Sequence, residues 1–145
     1  MGRIYEYRCE HCGHEKTYRV GCGFLGFEDY RSKMNTEEKK LKKEIFDEKY
    51  GEHLKKVIES DETHFVFSCN EELYQCGKCK RIFVLPSREI EHSKLRNYTA
   101  KIVFDEFCPE CRNDFPIDKI SGKNIIYCPK CKNGVAQLTC LGNWD

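Results

Sequence analysis

Ile4-Tyr5-Glu6-Tyr7-Arg8-Cys9-Glu10-His11-Cys12-Gly13-His14 is the stretch on which the fold turns. Apolar and polar residues alternate from Ile4 to Arg8, which is the period of a half-buried strand. The strand runs into two cysteines at Cys-x-x-Cys spacing, and Gly13 follows the second, where a tight turn needs a residue free of Cβ constraint. Lys16-Thr17-Tyr18-Arg19-Val20 then resumes the alternation. Strand, knuckle, strand is half of a metal ribbon, and it predicts that thiolates rather than a large apolar core hold the chain together.

The same plan recurs three times. Leu73-Tyr74-Gln75 leads into Cys76-Gly77-Lys78-Cys79 and a strand from Lys80 to Leu85. Ile102-Val103-Phe104 precedes Cys108-Pro109-Glu110-Cys111, and Cys128-Pro129-Lys130-Cys131 follows, with Gly134 three residues on. Eight of the 11 cysteines therefore sit in four knuckles. A soft, closed, tetrahedral sulfur site suits Zn2+ and replaces a missing core, so the expectation is two Zn2+ per chain held by Cys9, Cys12, Cys76, Cys79, Cys108, Cys111, Cys128 and Cys131. Spacing leaves two pairings open. The favoured one joins Cys9/Cys12 to Cys76/Cys79 and Cys108/Cys111 to Cys128/Cys131. Its competitor joins Cys76/Cys79 to Cys108/Cys111 and lets the outermost knuckles meet each other. His11 and His14 could replace a sulfur, but eight placed thiols leave no need for them. Cys22, Cys69 and Cys140 read as small buried hydrophobes.

Composition agrees with a metal-stapled chain. In 145 residues only 39% are hydrophobic and 34% are charged, while 12% aromatic content is too high for a disordered chain. The odd cysteine count, the metal spacing and an apolar-poor start argue against a disulfide-rich secreted domain. No apolar run approaches a membrane span. The expected location is the cytoplasm. The formal charge of +1 falls to about −3 once two tetrathiolate metals, about −2 each, are counted.

Between the first two knuckles lies helix-forming sequence. Asn35 with Glu38 makes a capping box, and Leu41, Ile45, Tyr50, Leu54 and Ile58 recur at helical spacing as far as about Glu59, with Gly51 as a break. Gly21 to Phe27 reads as a bend. The predicted fold class is a small α+β metal-stabilised protein of two zinc-ribbon modules. Residues 1–86 form a ribbon with a helical insertion at about 30–60 and close at Pro86. Residues 87–99, with Ile90, Leu95 and Tyr98, are a connector, and residues 100–145 form the second ribbon, with Cys140 facing its core and Trp144 covering it.

These features resemble the zinc-ribbon superfamily. Ile4-Tyr5-Glu6-Tyr7 with Cys9-Glu10-His11-Cys12-Gly13-His14 resembles the short N-terminal ribbons of FmdB-type regulatory proteins. The whole chain resembles a group of small bacterial zinc-ribbon proteins in Gly21 and Gly23, Leu73-Tyr74-Gln75-Cys76 to Cys79, Cys128 to Cys131 and Trp144-Asp145. The resemblance implies architecture and no reaction.

Four thiolates leave a metal no open position, and no paired carboxylates or activated nucleophile stand out, so an enzyme is not expected. The expected role is a protein-interaction or regulatory adaptor, with no small-molecule substrate. The alternative is nucleic-acid binding through Lys78, Lys80, Arg81, Arg112, Lys130 and Lys132 at the knuckles, whose charge otherwise offsets the thiolates. A Cys-pair redox protein or enzyme ranks last.

Overall fold

A computed structural model describes residues 2–23, 26–93 and 101–144. The strand–knuckle–strand opening forms as β1 (Gly2–Cys9) and β2 (Glu15–Val20), paired antiparallel with Tyr5 opposite Tyr18 and Tyr7 opposite Lys16. Helix α1 (Phe27–Phe46) and helix α2 (Glu52–Ser60) follow, then a 3₁₀ turn at Glu62–His64. The remaining elements are β3 (Phe65–Gln75), β4 (Ile82–His92), β5 (Lys101–Val103), β6 (Asp118–Lys119), β7 (Ile125–Tyr127) and β8 (Val135–Trp144). Two four-stranded sheets result, ordered β2-β1-β8-β7 and β5-β4-β3-β6, so the fold is α+β.

Contacts divide the chain into a ribbon unit, residues 1–30, 71–85 and 105–145, and a helical unit, residues 31–70 and 86–104. This differs from the expected division at 86 and 100, and the reason is the pairing of β1 with β8. Gly2 lies opposite Trp144 and Cys9 opposite Ala136, so the ends of the chain build one sheet and the middle of it is nested between them.

In the ribbon unit the inner hairpin is apolar on both faces. Leu73, Ile82 and Val84 pack with Tyr5, Tyr7, Ile126 and Leu138. Their neighbours Tyr74, Phe83 and Leu85 point the other way, toward Cys76, Cys108 and Ile117. Period-2 geometry sends successive side chains to opposite faces, which is why Ile82-Phe83-Val84-Leu85 can be an unbroken apolar run. Pro86 does not close a module: β4 continues through it to His92. Strand β5 pairs only with Glu89, Ile90 and Glu91, so Pro86 lies beyond that ladder, where a missing N–H is tolerated. The expected connector therefore begins as strand, and its Leu95 and Tyr98 lie outside the described residues, as do Phe24, Leu25 and Asp145.

Helix α1 starts eight residues before the capping box, leaving Asn35 and Glu38 inside it. Glu28 and Asp29 occupy its first turn, where the helix dipole favours carboxylates. Thr36 Oγ1 donates to the Ser32 carbonyl at 2.9 Å, satisfying a hydroxyl that would otherwise compete with the helix. Gly51, at φ 96°, separates α1 from α2 as its sequence suggests. The helical unit buries Leu41, Ile45, Ile58, Ile90 and Phe104 with Phe65 and Phe67 alongside, each fully buried side chain being worth about 1.5–3 kcal/mol.

Two local expectations fail. Cys140 is exposed, although it keeps the strand parity of the buried Ala136 and Leu138. The β1–β8 register shifts just beyond it, where Tyr5 faces Cys140, Ile4 faces Gly142 and Leu141 is the extra residue of a bulge. Trp144 covers the start of β1 instead of a separate module: a Cβ on Gly2 would run into its indole, and the Arg19 guanidinium lies 5.4 Å from its ring centroid. Cys22 and Cys69 are buried as expected.

Glu44 is the charged hub of the helical unit. Arg88 Nη1, Lys49 Nζ and Tyr50 Oη each approach its carboxylate at 3.0 Å, and the Arg88 side chain is only 9% exposed. Burial would raise the Glu44 pKa, but hydrogen bonds from Lys49 and Tyr50 and the charge of Arg88 outweigh it, and the net shift is downward. A depressed folded pKa means stability that is fully present above the unfolded value of about 4.3 and is lost as pH falls through the folded one. Glu44→Gln should therefore destabilise the helical unit at pH 7 by about 3 kcal/mol. The gap between variant and wild type should shrink below about pH 4, read by helix ellipticity during urea unfolding; a gap independent of pH would contradict this role.

Candidate metal centres

The Cys-x-x-Cys segments fold into similar turns. The Cys9 N–H donates to the His14 carbonyl and the Gly13 N–H to the Cys9 carbonyl, both at 2.9 Å. At the second knuckle Cys76 N–H meets the Arg81 carbonyl at 3.0 Å and Lys80 N–H the Cys76 carbonyl at 2.9 Å. At the last, Cys128 N–H reaches the Gly134 carbonyl at 2.9 Å and Lys132 N–H the Cys128 carbonyl at 3.0 Å. Backbone N–H groups also turn toward sulfur: Cys79 N–H lies 3.5 Å from Cys76 Sγ and Cys111 N–H 3.4 Å from Cys108 Sγ. The residue after the second cysteine is left-handed every time, at φ 71° for Gly13, 61° for Lys80, 48° for Arg112 and 61° for Lys132. Only the first of these is glycine, so three cationic residues hold a conformation that costs an L-residue about 1–2 kcal/mol.

The knuckles meet in two quartets. Cys9, Cys12, Cys128 and Cys131 form an outer group and Cys76, Cys79, Cys108 and Cys111 an inner one; within each, all sulfurs lie within 4.8 Å of one another. This is the competing pairing, and it overturns the favoured one. The long gap from Cys12 to Cys76 is spanned without a shared site, because β8 carries Cys131 and Cys128 back beside Cys9. Both quartets belong to the ribbon unit. The described His11 and His14 stand outside the quartets, His14 packing its ring 5.7 Å from that of Tyr7.

The donor set fits a tetrahedral metal. The Sγ–Sγ separations are 3.8 Å for Cys9–Cys131, 3.6 Å for Cys12–Cys128, 3.5 Å for Cys76–Cys111 and 3.7 Å for Cys79–Cys108. The edge of a tetrahedron with 2.3 Å metal–sulfur bonds is about 3.8 Å. A disulfide needs about 2.05 Å. Thiol acidity is uneven. The Cys12 N–H holds Cys9 down to about 7 against the opposing effect of burial. Burial pushes Cys76 up, but the N–H groups of Cys79 and Lys78 prevail and bring it to about 7. Burial raises Cys79 and Cys128 to about 11. A metal entering either quartet must therefore displace protons, and acid must expel it.

Gln75, which the sequence did not single out, and Gly134, placed just after the last knuckle, join the ribbons. The buried Gln75 carboxamide donates from Nε2 to the Lys80 carbonyl at 2.8 Å and the Tyr127 carbonyl at 2.7 Å, and its Oε1 accepts from Tyr127 N–H at 3.1 Å. It thus imitates a strand along β7 while gripping the inner knuckle. Gly134 touches the outer quartet: a Cβ there would stand 2.9 Å from His11 Cβ, 3.0 Å from Cys9 Sγ and 3.2 Å from Cys131 Sγ. The amide of Gln75 carries no sequence signal, whereas the position of Gly134 after the last knuckle does.

No family model, curated protein or solved structure matches the chain. Among the described residues, no helix is long and apolar enough to cross a membrane.

The pairing has a direct test. Cys12→Ser combined with Cys131→Ser should leave one metal per chain, and Cys12→Ser combined with Cys79→Ser should leave none, by plasma emission analysis. The pairing favoured by spacing gives the reverse. Gly134→Ala should weaken the outer site alone by about tenfold or more in chelator competition; an equal loss at both sites would contradict its placement.

Proposed function

We propose that this is a non-catalytic zinc protein, with one structural Zn2+ in each cysteine quartet, that acts as a protein-interaction or regulatory adaptor. The tetrahedral sulfur spacing carries the proposal. All-thiolate donor sets suit Zn2+, and a zinc with four protein ligands has no vacant position at which to bind substrate or activate water. The ligands are Cys9, Cys12, Cys128 and Cys131 at one site and Cys76, Cys79, Cys108 and Cys111 at the other. The four knuckles, three of them joined directly to strands, support a zinc-ribbon reading of the ribbon unit, and reduced thiols suit a cytoplasmic setting.

The adaptor reading rests on surface character. Ile125, Tyr127 and Val135 are 66%, 53% and 57% exposed, and Tyr127 and Val135 are paired across β7 and β8. In the ribbon unit acidic residues slightly outnumber basic ones, and two metal–tetrathiolate groups add about −4. That balance favours a protein surface over a general phosphate grip.

Protein purified without added metal should contain two zinc ions per chain, and cobalt in their place should give the intense visible bands of tetrahedral thiolate sites. One metal, or iron, defeats the two-zinc assignment. A photocrosslinking residue at position 125 in cells should trap a partner that the same residue at exposed Glu10 does not; identical adducts from both positions defeat the adaptor reading.

A further inference from the structure

A groove in the ribbon unit shares no lining residue with Ile125, Tyr127 or Val135. It has a cavity volume of about 340 Å³ and is lined by Lys16, Arg81 and Lys130 as cations, with Glu110 as the only carboxylate among the described lining residues. Arg81 and Glu110 form an exposed ion pair, and Lys16 Nζ lies 5.1 Å from the Tyr18 ring centroid. Between the cations stand the half-buried rings of His14, Tyr18 and Phe83. Tyr7 also lines the groove; the residue is 0% exposed, and its hydroxyl is buried with no hydrogen-bond partner among the described residues. A buried donor without an acceptor costs about 1–3 kcal/mol, and in a groove wall it marks the place of an acceptor.

We propose that this groove binds a nucleotide unit of a single-stranded nucleic acid, with backbone phosphate held by Lys16, Lys130 and Arg81, a base against Tyr18, and a ligand oxygen accepting from Tyr7. Cations interleaved with aromatic rings are the combination that a charged, stacking polymer uses. An acidic peptide would use the cations and leave the rings and the hydroxyl idle. The groove is open and cannot enclose most of a free nucleotide, whereas a strand gains affinity from contacts beyond one unit. The negative charge of the two metal groups keeps the grip local to this groove. The inference goes beyond the adaptor reading: it concerns different side chains and stands or falls without it.

The test uses the full zinc-loaded chain and a fluorescein-labelled twelve-nucleotide single strand of mixed sequence, in RNA and DNA forms, followed by anisotropy. Three phosphate contacts predict that log K falls against log salt with a slope of about −2, or about twentyfold weaker binding between 50 and 200 mM. Lys16→Ala with Lys130→Ala should reduce the slope to about −0.7, and Tyr7→Phe should weaken binding about fivefold. Each variant should keep wild-type zinc content, which separates a lost contact from a lost fold. Unchanged affinity in the double lysine variant overturns the proposal. So does equal competition by duplex of the same sequence, by polyglutamate, or by millimolar mononucleotide, which would assign the groove to duplex, acidic peptide or free nucleotide respectively. If Tyr7→Phe alters metal affinity and leaves strand affinity unchanged, the hydroxyl serves the outer thiolates and its assigned contact is wrong.

Discussion

The antiparallel pairing of β1 with β8 is the constraint from which the rest of the ribbon unit follows. It brings Cys9 opposite Ala136 and so returns the last knuckle to the first. Once the outer quartet is closed in this way, Cys76/Cys79 and Cys108/Cys111 have only each other. The inner hairpin then lies between two apolar faces, with Leu73 and Val84 on one and Tyr74 and Phe83 on the other. Thiolate sites and hydrocarbon packing are thus not alternatives here. Cys9, Cys76, Cys108 and Cys128 are counted among the core residues, and each quartet finishes a small core too thin to close by itself.

Much of this was legible in the residues. Alternation from Ile4 to Arg8 and from Lys16 to Val20, and the two-faced run at Ile82–Leu85, have one geometric interpretation each. The four knuckles declare themselves by spacing, because a Cys-x-x-Cys turn is a local structure. Which knuckle meets which is not local. It is decided by strand pairing between residues at opposite ends of the chain, and loop entropy gives little guidance. Separations of 116 residues for Cys12–Cys128 and 29 for Cys79–Cys108 differ by only about 1.2 kcal/mol of closure cost. The start of α1 was missed for a different reason. Asn35 and Glu38 spell a capping box, but Glu28 and Asp29 offer an equally good first turn, and tertiary burial of Met34 lies between them.

The three cationic left-handed residues show how the sites are tuned. Glycine would remove the backbone strain at Lys80, Arg112 and Lys132, as it does at Gly13. A lysine or arginine instead keeps a positive charge beside a group of thiolates, where Coulomb attraction offsets the strain. Lys80 also places its ammonium 4.0 Å from the Tyr127 ring centroid, so one residue serves the knuckle, the inner quartet and the edge of β7. Gln75 reinforces that junction with three hydrogen bonds. Disturbance at one quartet therefore has a direct mechanical route to the other.

Nesting also imposes an order in time. As the chain leaves the ribosome, Cys111 emerges well before Cys128 and Cys131, so the inner quartet is complete while the outer one still lacks half its sulfurs. During that interval Cys9 and Cys12 hold a bare knuckle, and any metal they catch must be given up or shared until β8 arrives. Any metal held first during synthesis therefore settles at the inner quartet, and β8, made long after β1, is the strand that seals β1 in place.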